Sequence, residues 1–349
     1  MENYSLLTMS LLALIVLAAL TLPFLIHKIE EELEIFLLVC GVAAVSISGV
    51  WSWHLVQEAL QEPLVITAAV LVLGVLFKMF GDKTSHLIHF VEKKTGPRAL
   101  LFLIVFVIGL FSSVITAIVA ALISAEIVKL VQLTPKEKVR LTVYICFAIG
   151  FGAILTPIGE PLSTIVISKL KEPPYNADFF FLLKLMGWWI LPALFLFAAL
   201  AARIPSKAIT SAPEKHVAGE TYKTILVRAG KVYLFITALI FLGDGLKPLA
   251  ARTITHLSKY AIYWINTLSA VLDNATLASI EIMPSLPQDT LVFLMMSLIL
   301  AGGLLIPGNI PNIICASKLN IKSKEWAKEA LPVGGVLMVV YFVIMSIVL

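Results

Sequence analysis

Residues 152–170 read GAILTPIGEPLSTIVISKL, and residues 301–319 read AGGLLIPGNIPNIICASKL. When the two are overlaid without gaps, Gly159 falls on Gly308 and the Ser-Lys-Leu endings coincide. Each copy is an apolar run interrupted by prolines and a glycine. Proline removes a backbone donor and glycine permits an unwound turn, so the pattern predicts two helices that break in the middle. Broken helices in corresponding positions point to the substrate site of a secondary transporter.

The composition places this broken-helix pair in a membrane protein. Of the 349 residues, 60% are hydrophobic and only 14% are charged, whereas a soluble domain is about half apolar and about a quarter charged. The mean hydropathy is +0.99. The net charge of +4 lies in loops and indicates orientation, not binding to nucleic acid.

No sequence pattern indicates an enzyme. The chain lacks a His-carboxylate metal motif, a nucleophile elbow and a phosphate-binding loop. The three cysteines, Cys40, Cys146 and Cys315, lie far apart in apolar runs, so we interpret them as packing residues. No cofactor is expected beyond transported Na⁺ or H⁺.

Eight stretches are suited to cross a bilayer, which takes roughly 20 apolar residues per helix. Six are simple candidates: 6–26, 35–53, 63–80, 179–201, 232–249 and 331–349. The broken segments 141–168 and 290–315 complete the set. The first stretch lacks a basic leading region and a small-residue cleavage site, so we interpret it as a retained helix, not a signal peptide.

Residues 99–132 and 250–286 do not fit a single crossing, because each is too long for one span and rather short for two. Each has a polar centre of small residues, Ser112 to Thr116 in the first and Asp273 to Thr276 in the second. We interpret both as re-entrant helical hairpins, since irregular backbone at membrane depth is tolerated only inside protein or beside a wet cavity. Two short full crossings for each remain the alternative.

Most of the 26 Lys and Arg residues fall in loops that an outside N-terminus would place in the cytoplasm. These loops are 27–34, 81–98, 132–140, 202–231 and 317–328. Because basic loops stay on the inner side, the distribution predicts a multi-pass protein of the cell membrane with both termini outside.

The spans divide into two copies. Two N-terminal helices in 1–62 precede repeat one, 63–201, and a cytoplasmic linker, 202–231, leads to repeat two, 232–349. Each copy makes three crossings, and an odd number inverts the second copy relative to the first. The predicted fold class is an all-α polytopic membrane protein, an inverted-repeat transporter with two re-entrant hairpins and two broken transmembrane helices.

Carboxylates within predicted membrane segments mark function by default, because burying them costs several kcal/mol. Glu160 sits in the first break, where the second copy has Asn309. Asp273 sits at the second hairpin tip, where the first copy has Thr116. The predicted site is therefore pseudo-symmetric in backbone and asymmetric in charge. A plainer alternative is that Glu160 and Asp273 each cap the following helix.

Glu126 and Glu281 follow the two hairpin tips, in ISAEIV and ASIEIM. They are possible proton-relay residues, although either could simply be solvated near the membrane surface.

Neutral oxygens accompany these carboxylates. Carboxylate, amide and unwound carbonyl oxygens are ligands that suit a hard cation such as Na⁺. With Asp273 and Glu160 as candidate Na⁺ ligands, the other predicted ion- or substrate-binding residues are Asn274, Thr156, Gly159, Asn309, Asn312, Ser113 and Thr116.

Three motifs carry a resemblance to the ion transporter superfamily. They are LTPIGEPLSTIV (155–166), VLDNATLAS (271–279) and IPGNIPNIICASKL (306–319). The first is similar to arsenite permeases, the second to NhaD-type Na⁺/H⁺ antiporters, and the third to the second broken helix of this superfamily. The chain most resembles the short prokaryotic branch of predicted cation transporters.

The resemblance implies a homodimer with a scaffold domain and a mobile transport domain that moves in an elevator-like step. The chain departs from the superfamily in being short. Its first hairpin tip, Ser112 to Thr116, also lacks the Ser-Asn-Thr signature of the dicarboxylate symporters, which speaks against a dicarboxylate substrate.

These observations favour a secondary active transporter that exchanges Na⁺, or another monovalent cation, for protons. The alternative is a Na⁺-coupled anion or oxyanion transporter, in which the half-helix N-termini at Leu162 and Asn312 hold the anion. A channel or a scaffold would give two broken helices no purpose. The expected partners are membrane lipid, a second copy of the chain and a small inorganic cation.

Overall fold

A computed structural model describes residues 4–26, 28–29, 32–64, 67–68, 71–72, 75, 93–205, 222–254, 257–271 and 274–349. Within this part of the chain every regular element is a helix. Five of its helices are long and apolar enough to cross a membrane: Leu6–Pro23, Pro97–Ile115, Phe181–Ala202, Ile225–Leu249 and Ser323–Val348. The chain is therefore a helical membrane protein, as its composition predicts.

The N-terminal part contains two helices, α1 (Leu6–Leu25) and α2 (Leu33–Ser48), and residues 53–64 are also helical. Helix α2 ends before the predicted second span, 35–53, does. The helix stops there because Gly49 adopts a left-handed conformation (φ 72°). The third predicted span, 63–80, lies mostly outside the described residues.

Residues 93–205 are described without a gap, and we call them the first unit. They contain five helices. They are α3 (Pro97–Ile115), α4 (Ala117–Leu130), α5 (Pro135–Ala153), α6 (Pro161–Lys169) and α7 (Phe181–Ala202). The chain reverses between α3 and α4 at Thr116, whose φ is 71°. The first break separates α5 from α6, at the prolines and glycine that predicted it. The 19 residues of α3 span about 28 Å, which is long enough for a full crossing. Length alone therefore does not make this hairpin re-entrant.

A 33-residue helix, α8 (Tyr222–Ile254), leads into the second unit. It begins inside the predicted linker and continues into the predicted second hairpin, so both of those boundaries were misplaced. The apolar run marks only the part of α8 suited to a membrane. A helix continues through polar residues until a turn or cap ends it, and hydropathy does not report that point.

The second unit repeats the order of the first with shorter hairpin arms. Its elements are α9 (Lys259–Ile265), a 3₁₀ segment (Asn266–Ala270), α10 (Asn274–Glu281), α11 (Gln288–Gly302), a 3₁₀ turn (Ile306–Gly308), α12 (Ile310–Leu319) and α13 (Ser323–Val348). The arms α9 and α10 have seven and eight residues, each too short to cross a bilayer.

Small residues bring the helices together. A methyl group added to Gly245 of α8 would lie 2.6 Å from the Ala44 side chain of α2. A methyl group added to Gly152 of α5 would lie 1.7 Å from the Gly109 carbonyl oxygen of α3. Such contacts are typical of membrane helices, where close backbone approach replaces the hydrophobic driving force between helices.

Candidate functional site

The first hairpin tip is bonded directly to the first break. The Ala117 backbone N–H donates to the Gly159 carbonyl at 2.8 Å. The Thr156 hydroxyl donates to the Ser113 carbonyl at 2.5 Å. Two of the predicted site residues, Thr156 and Gly159, therefore hold the tip against the break through one hydroxyl and one backbone group.

Both breaks fold back in the same way, over a glycine. A methyl group on Gly159 would lie 1.9 Å from the Ala153 carbonyl oxygen, and one on Gly308 would lie 2.6 Å from the Gly302 carbonyl oxygen. Neither glycine has a positive φ, so the requirement at both is space for the returning backbone. The glycines that align in sequence therefore occupy equivalent places in the two breaks.

Asn312 organises the second break. Its Nδ2 donates to the carbonyls of Gly302 at 2.8 Å and Leu305 at 2.9 Å. These carbonyls lie at and beyond the C-terminal end of α11, where helix carbonyls lose their intrahelical partners. The predicted ligand Asn312 thus uses its amide nitrogen to satisfy the break and keeps its amide oxygen for another role.

The two breaks lie close to each other. A methyl group on Gly150, in the last turn of α5, would lie 3.1 Å from Asn309 Nδ2 at the start of α12. The Cys146 thiol also approaches the Pro311 carbonyl at 3.7 Å. The N-terminus of α12 therefore packs beside the C-terminus of α5, where the first break begins.

The second half of each broken helix packs on the hairpin of the other unit. Helix α12 lies along α4, where the Cys315 thiol approaches the Ala121 carbonyl at 3.4 Å and Lys318 pairs with Glu126. Helix α6 lies along α10, where Lys169 Nζ approaches the Ile282 carbonyl at 3.4 Å. Each pair has its C-terminal ends together, and the hydrogen bond from the Ala117 N–H to the Gly159 carbonyl joins the N-terminal ends of α4 and α6. The four N-termini therefore face the same region.

We call this region the tip–break site and define it by Thr116, Glu160, Asn274 and Asn309. Thr116, Glu160 and Asn309 are the N-cap residues of α4, α6 and α12, and Asn274 begins α10. Glu160 and Asn309 are both buried in extended backbone, and neither side chain makes a capping hydrogen bond. The plainer interpretation of Glu160 as a helix cap is thus not supported by a cap hydrogen bond.

The hydroxyl groups of two predicted ligands form hydrogen bonds within their own helices. Ser113 Oγ donates to the Leu110 carbonyl at 2.9 Å. Thr116 Oγ1 accepts from the Val119 N–H at 3.4 Å, which caps α4. Both residues belong to the hairpin tip, and their side chains stabilise it.

Two buried amides carry atoms that could bind a small ligand. Among the described residues, Asn274 Nδ2 and Asn312 Oδ1 have no hydrogen-bond partner. Asn274 Nδ2 would lie 3.5 Å from a methyl group on Gly302, so it faces the second break. Asp273, the predicted partner of Asn274, lies outside the described residues.

The glutamates that follow the hairpin tips have different surroundings. Glu126 forms an ion pair with Lys318, whose side chain is 1% exposed, and a second pair with Lys129 at 3.3 Å. Glu281 is 2% exposed and accepts from Asn266 Nδ2 at 3.0 Å. The expectation that either is simply solvated does not hold, because Glu126 is paired and Glu281 is buried.

Sequence reasoning missed three residues of these clusters, Lys318, Asn266 and Ser297. Lys318 belongs to the duplicated Ser-Lys-Leu ending and could have been noticed as a basic residue at the end of a broken helix. Asn266 and Ser297 are single polar residues inside apolar runs. Such residues are costly to bury without partners, and that cost is the signal that was overlooked.

Comparison with known proteins assigns a family. No curated protein matches the chain. One family model, described as a protein of unknown function (DUF1646), matches residues 8–348. Because this match covers almost the whole sequence, the chain belongs to the DUF1646 family.

Proposed function

We propose that this protein is a secondary active transporter that exchanges a monovalent cation, with Na⁺ as the first candidate, for protons. The observation that carries the proposal is the tip–break site, where a buried carboxylate, Glu160, shares a region with the amides of Asn274 and Asn309 between two interrupted helices. Irregular backbone and a buried carboxylate are both costly within a membrane, and they are retained where they bind a substrate or an ion.

Competition for one site accounts for exchange. A carboxylate that has lost its proton on one side of the membrane binds the cation, and protonation on the other side expels it. Glu160 and Asp273 fill this role in the proposal. Asn312 Oδ1, which has no partner among the described residues, supplies a neutral ligand of the kind that suits a hard cation, and Asn274 and Asn309 bring further amides to the same region.

Alternating access follows if the two units are inverted in the membrane. The repeated element order, the paired glycines of the breaks and the exchanged packing of α6 and α12 all support a pseudo-symmetric pair of units. Helix α3 is long enough to cross the membrane, so its length does not support a re-entrant first hairpin. The support comes from the hydrogen bond between the Ala117 N–H and the Gly159 carbonyl, which holds the hairpin tip against the first break. Elevator-like movement and a homodimer remain part of the proposal on resemblance alone.

The test is proton flux in proteoliposomes that contain the purified full-length protein. An imposed pH gradient should drive proton movement that depends on Na⁺, and Glu160→Gln and Asp273→Asn should each lower it at least about tenfold, a change of about 1.4 kcal/mol. Glu172→Gln, at an exposed loop position, is the matched control and should leave flux unchanged. Absence of Na⁺-dependent flux in the intact protein, or full flux in both site variants, would refute cation–proton exchange.

A second candidate is Na⁺-coupled transport of an anion. The specific observation in its favour is that the N-termini of α4, α6, α10 and α12 face one region, and helix N-termini attract anions. Glu160 opposes it by placing a carboxylate there. Na⁺ uptake that requires arsenite, phosphate or a dicarboxylate, without Na⁺-dependent proton flux, would favour this candidate.

A further inference from the structure

A second buried polar cluster lies in the hairpin and broken helix of the second unit, apart from the four residues that define the tip–break site. It consists of Asn266 in the 3₁₀ segment, Glu281 at the end of α10 and Ser297 in α11. Asn266 and Ser297 are fully buried, and Glu281 is 2% exposed. None of the three is needed for the exchange reaction proposed above.

The hydrogen bonds fix the orientation of the Asn266 amide. Its Nδ2 donates to Glu281 Oε2 at 3.0 Å and to Ser297 Oγ at 2.9 Å, which uses both amide hydrogens. The Ser297 hydroxyl in turn donates to the Leu294 carbonyl at 2.8 Å. Asn266 Oδ1 is therefore an acceptor, and no hydroxyl hydrogen of the cluster remains for it.

Two buried acceptor oxygens are left over. Asn266 Oδ1 and Glu281 Oε1 have no hydrogen-bond partner among the residues that the structure describes. A buried acceptor without a donor costs about 1–3 kcal/mol, and a buried carboxylate without a counter-charge costs more. One proton on Glu281 removes the charge and supplies a donor for a neighbouring acceptor at the same time.

The charged groups on the elements around Glu281 have other partners or contacts. Lys169 of α6 approaches the Ile282 carbonyl at 3.4 Å, and Asp289 of α11 pairs with Lys259. On α8, Asp244 pairs with Lys247. The remaining charged residues with described side chains on or next to these elements are Glu160, Lys223 and Lys231. None of the basic ones forms an ion pair with Glu281 in the described part of the chain.

The equivalent place in the first unit holds no such cluster. Ser112 Oγ lies 3.1 Å from the Ile149 carbonyl, in addition to its 2.6 Å bond to the Gly109 carbonyl of its own helix, and Ser269 Oγ donates to the Leu298 carbonyl at 3.3 Å. When the two serines and the two carbonyl groups are matched, Asn266 of the second unit corresponds to Gly109 of the first. Ser297 likewise corresponds to Ala148. A methyl group on Gly109 would lie 2.9 Å from the Ala148 side chain. The first unit therefore has no space for larger side chains at the place where the second unit has Asn266 and Ser297.

We propose that Asn266, Glu281 and Ser297 form a proton-binding site, separate from the tip–break site, in which Glu281 carries the proton. Asn266 holds one carboxyl oxygen through its amide nitrogen, and its amide oxygen is the acceptor available to the acid proton. Two leftover oxygens are few for a metal cation, which prefers six or more oxygen ligands in the hard-cation sites of proteins. This proposal goes beyond the exchange function and concerns binding, so it stands whether or not flux is found.

Infrared spectroscopy of the purified full-length protein in detergent tests the site directly. At neutral pH the wild type should show the carbonyl-stretch band of a buried protonated carboxyl group. Glu281→Gln should remove this band and Asn266→Leu should shift it. Glu160→Gln and the exposed control Glu172→Gln should retain it. The band should be the same in Na⁺ as in choline. Identical spectra for wild type and Glu281→Gln refute the proposal. If the band that Glu281→Gln removes appears only when Na⁺ is withdrawn, the cluster is a metal-cation site and the proposal is overturned.

Thermal unfolding gives a second, independent measurement. Gln has nearly the shape of a protonated Glu and can donate to Asn266 Oδ1, so Glu281→Gln should unfold near the wild-type temperature below about pH 4.3, the ordinary pKa of Glu, where the unfolded chain holds the proton too. If the folded protein holds a proton that the unfolded chain releases, wild-type stability falls as pH rises, and the difference from Glu281→Gln grows in favour of the variant. A difference that does not change with pH would contradict a proton on Glu281.

Discussion

The first and second units share their backbone contacts and differ in where they carry polar groups. Each break folds over a glycine, and each hairpin donates a serine hydroxyl to the neighbouring broken helix. In the first unit a carboxylate lies in the break, at Glu160, the hairpin carboxylate Glu126 is paired with Lys318, and Gly109 of the hairpin packs tightly on Ala148 of α5. The second has Asn309 in the break and its carboxyl group in the hairpin, at Glu281. The shared contacts build the framework, and the substituted positions determine where each unit carries its polar groups.

The largest expected difference between the units concerns the two duplicated lysines. Lys318 is 1% exposed and pairs with Glu126, which is 17% exposed. Lys169 is exposed, and its Nζ approaches the Ile282 carbonyl at 3.4 Å. Removing one partner of a buried ion pair costs about 3–5 kcal/mol when the other charge is left alone. Because Glu126 keeps its pair with Lys129, Lys318→Met should lower the free energy of unfolding toward the lower end of that range. Lys169→Met should cost less than about 1 kcal/mol.

Thermal unfolding of the purified protein in detergent compares the two lysine variants. The double variant Lys318→Met with Glu126→Gln removes both charges and should recover part of the loss. Equal destabilisation by Lys318→Met and Lys169→Met would show that the ion pair does not distinguish the two units.

The glycines of the breaks give the next largest effect. The added methyl group meets a carbonyl oxygen at 1.9 Å in Gly159→Ala and at 2.6 Å in Gly308→Ala. Overpacking of this kind costs about 1–3 kcal/mol, with the greater loss expected at Gly159. Gly335→Ala in α13 is the control, because its methyl group meets open space. If Gly308→Ala proves the more damaging variant, the two breaks are not built alike.

The breaks were predictable from sequence because proline and glycine act on the backbone where they stand. The exchanged packing of α6 and α12 was not, since it depends on contacts such as Lys318–Glu126, which are 192 positions apart. Hydropathy located the membrane part of α8 but not its ends. The candidate residues Glu160 and Asn309 were found from the repeat. Asn266 and Ser297 were not found, because each stands alone in an apolar run and only the fold joins them to Glu281.

The shared serine contact tests whether the two units keep the same register. Ser112→Ala and Ser269→Ala each remove a hydroxyl that approaches a carbonyl of the neighbouring helix, and the Ser112 hydroxyl also donates to Gly109 of its own helix at 2.6 Å. Hydrogen bonds between membrane helices contribute about 0.6 kcal/mol on average, and the two losses should agree within experimental error. Ser124→Ala, which removes a bond only within its own helix, is the matched control. A loss confined to one unit would mean that the contact is structural in only that unit.

The smallest expected effect concerns the N-terminal ends of α5 and α11, which are the first halves of the two broken helices. Helix α5 begins with a capping box, in which Thr134 and Glu137 bond each other, whereas α11 begins after Pro287 without a side-chain cap. Hydrogen bonds from Thr134 lower the pKa of Glu137 below its ordinary value of 4.5. A lowered carboxyl pKa stabilises the fold above that ordinary value, and the contribution is lost as pH falls through the lowered pKa.

Replacing Glu137 should therefore matter at neutral pH and cease to matter in acid. Because this side chain is exposed to solvent, Glu137→Ala should lower the unfolding temperature only slightly at pH 7, and the difference from wild type should shrink as the pH falls below about 4.5. Lys136→Ala, at an exposed position of the same turn, should show no such dependence. If the effect of Glu137→Ala is the same at both pH values, the box acts through helix propensity, and the charge of Glu137 adds nothing to the start of α5.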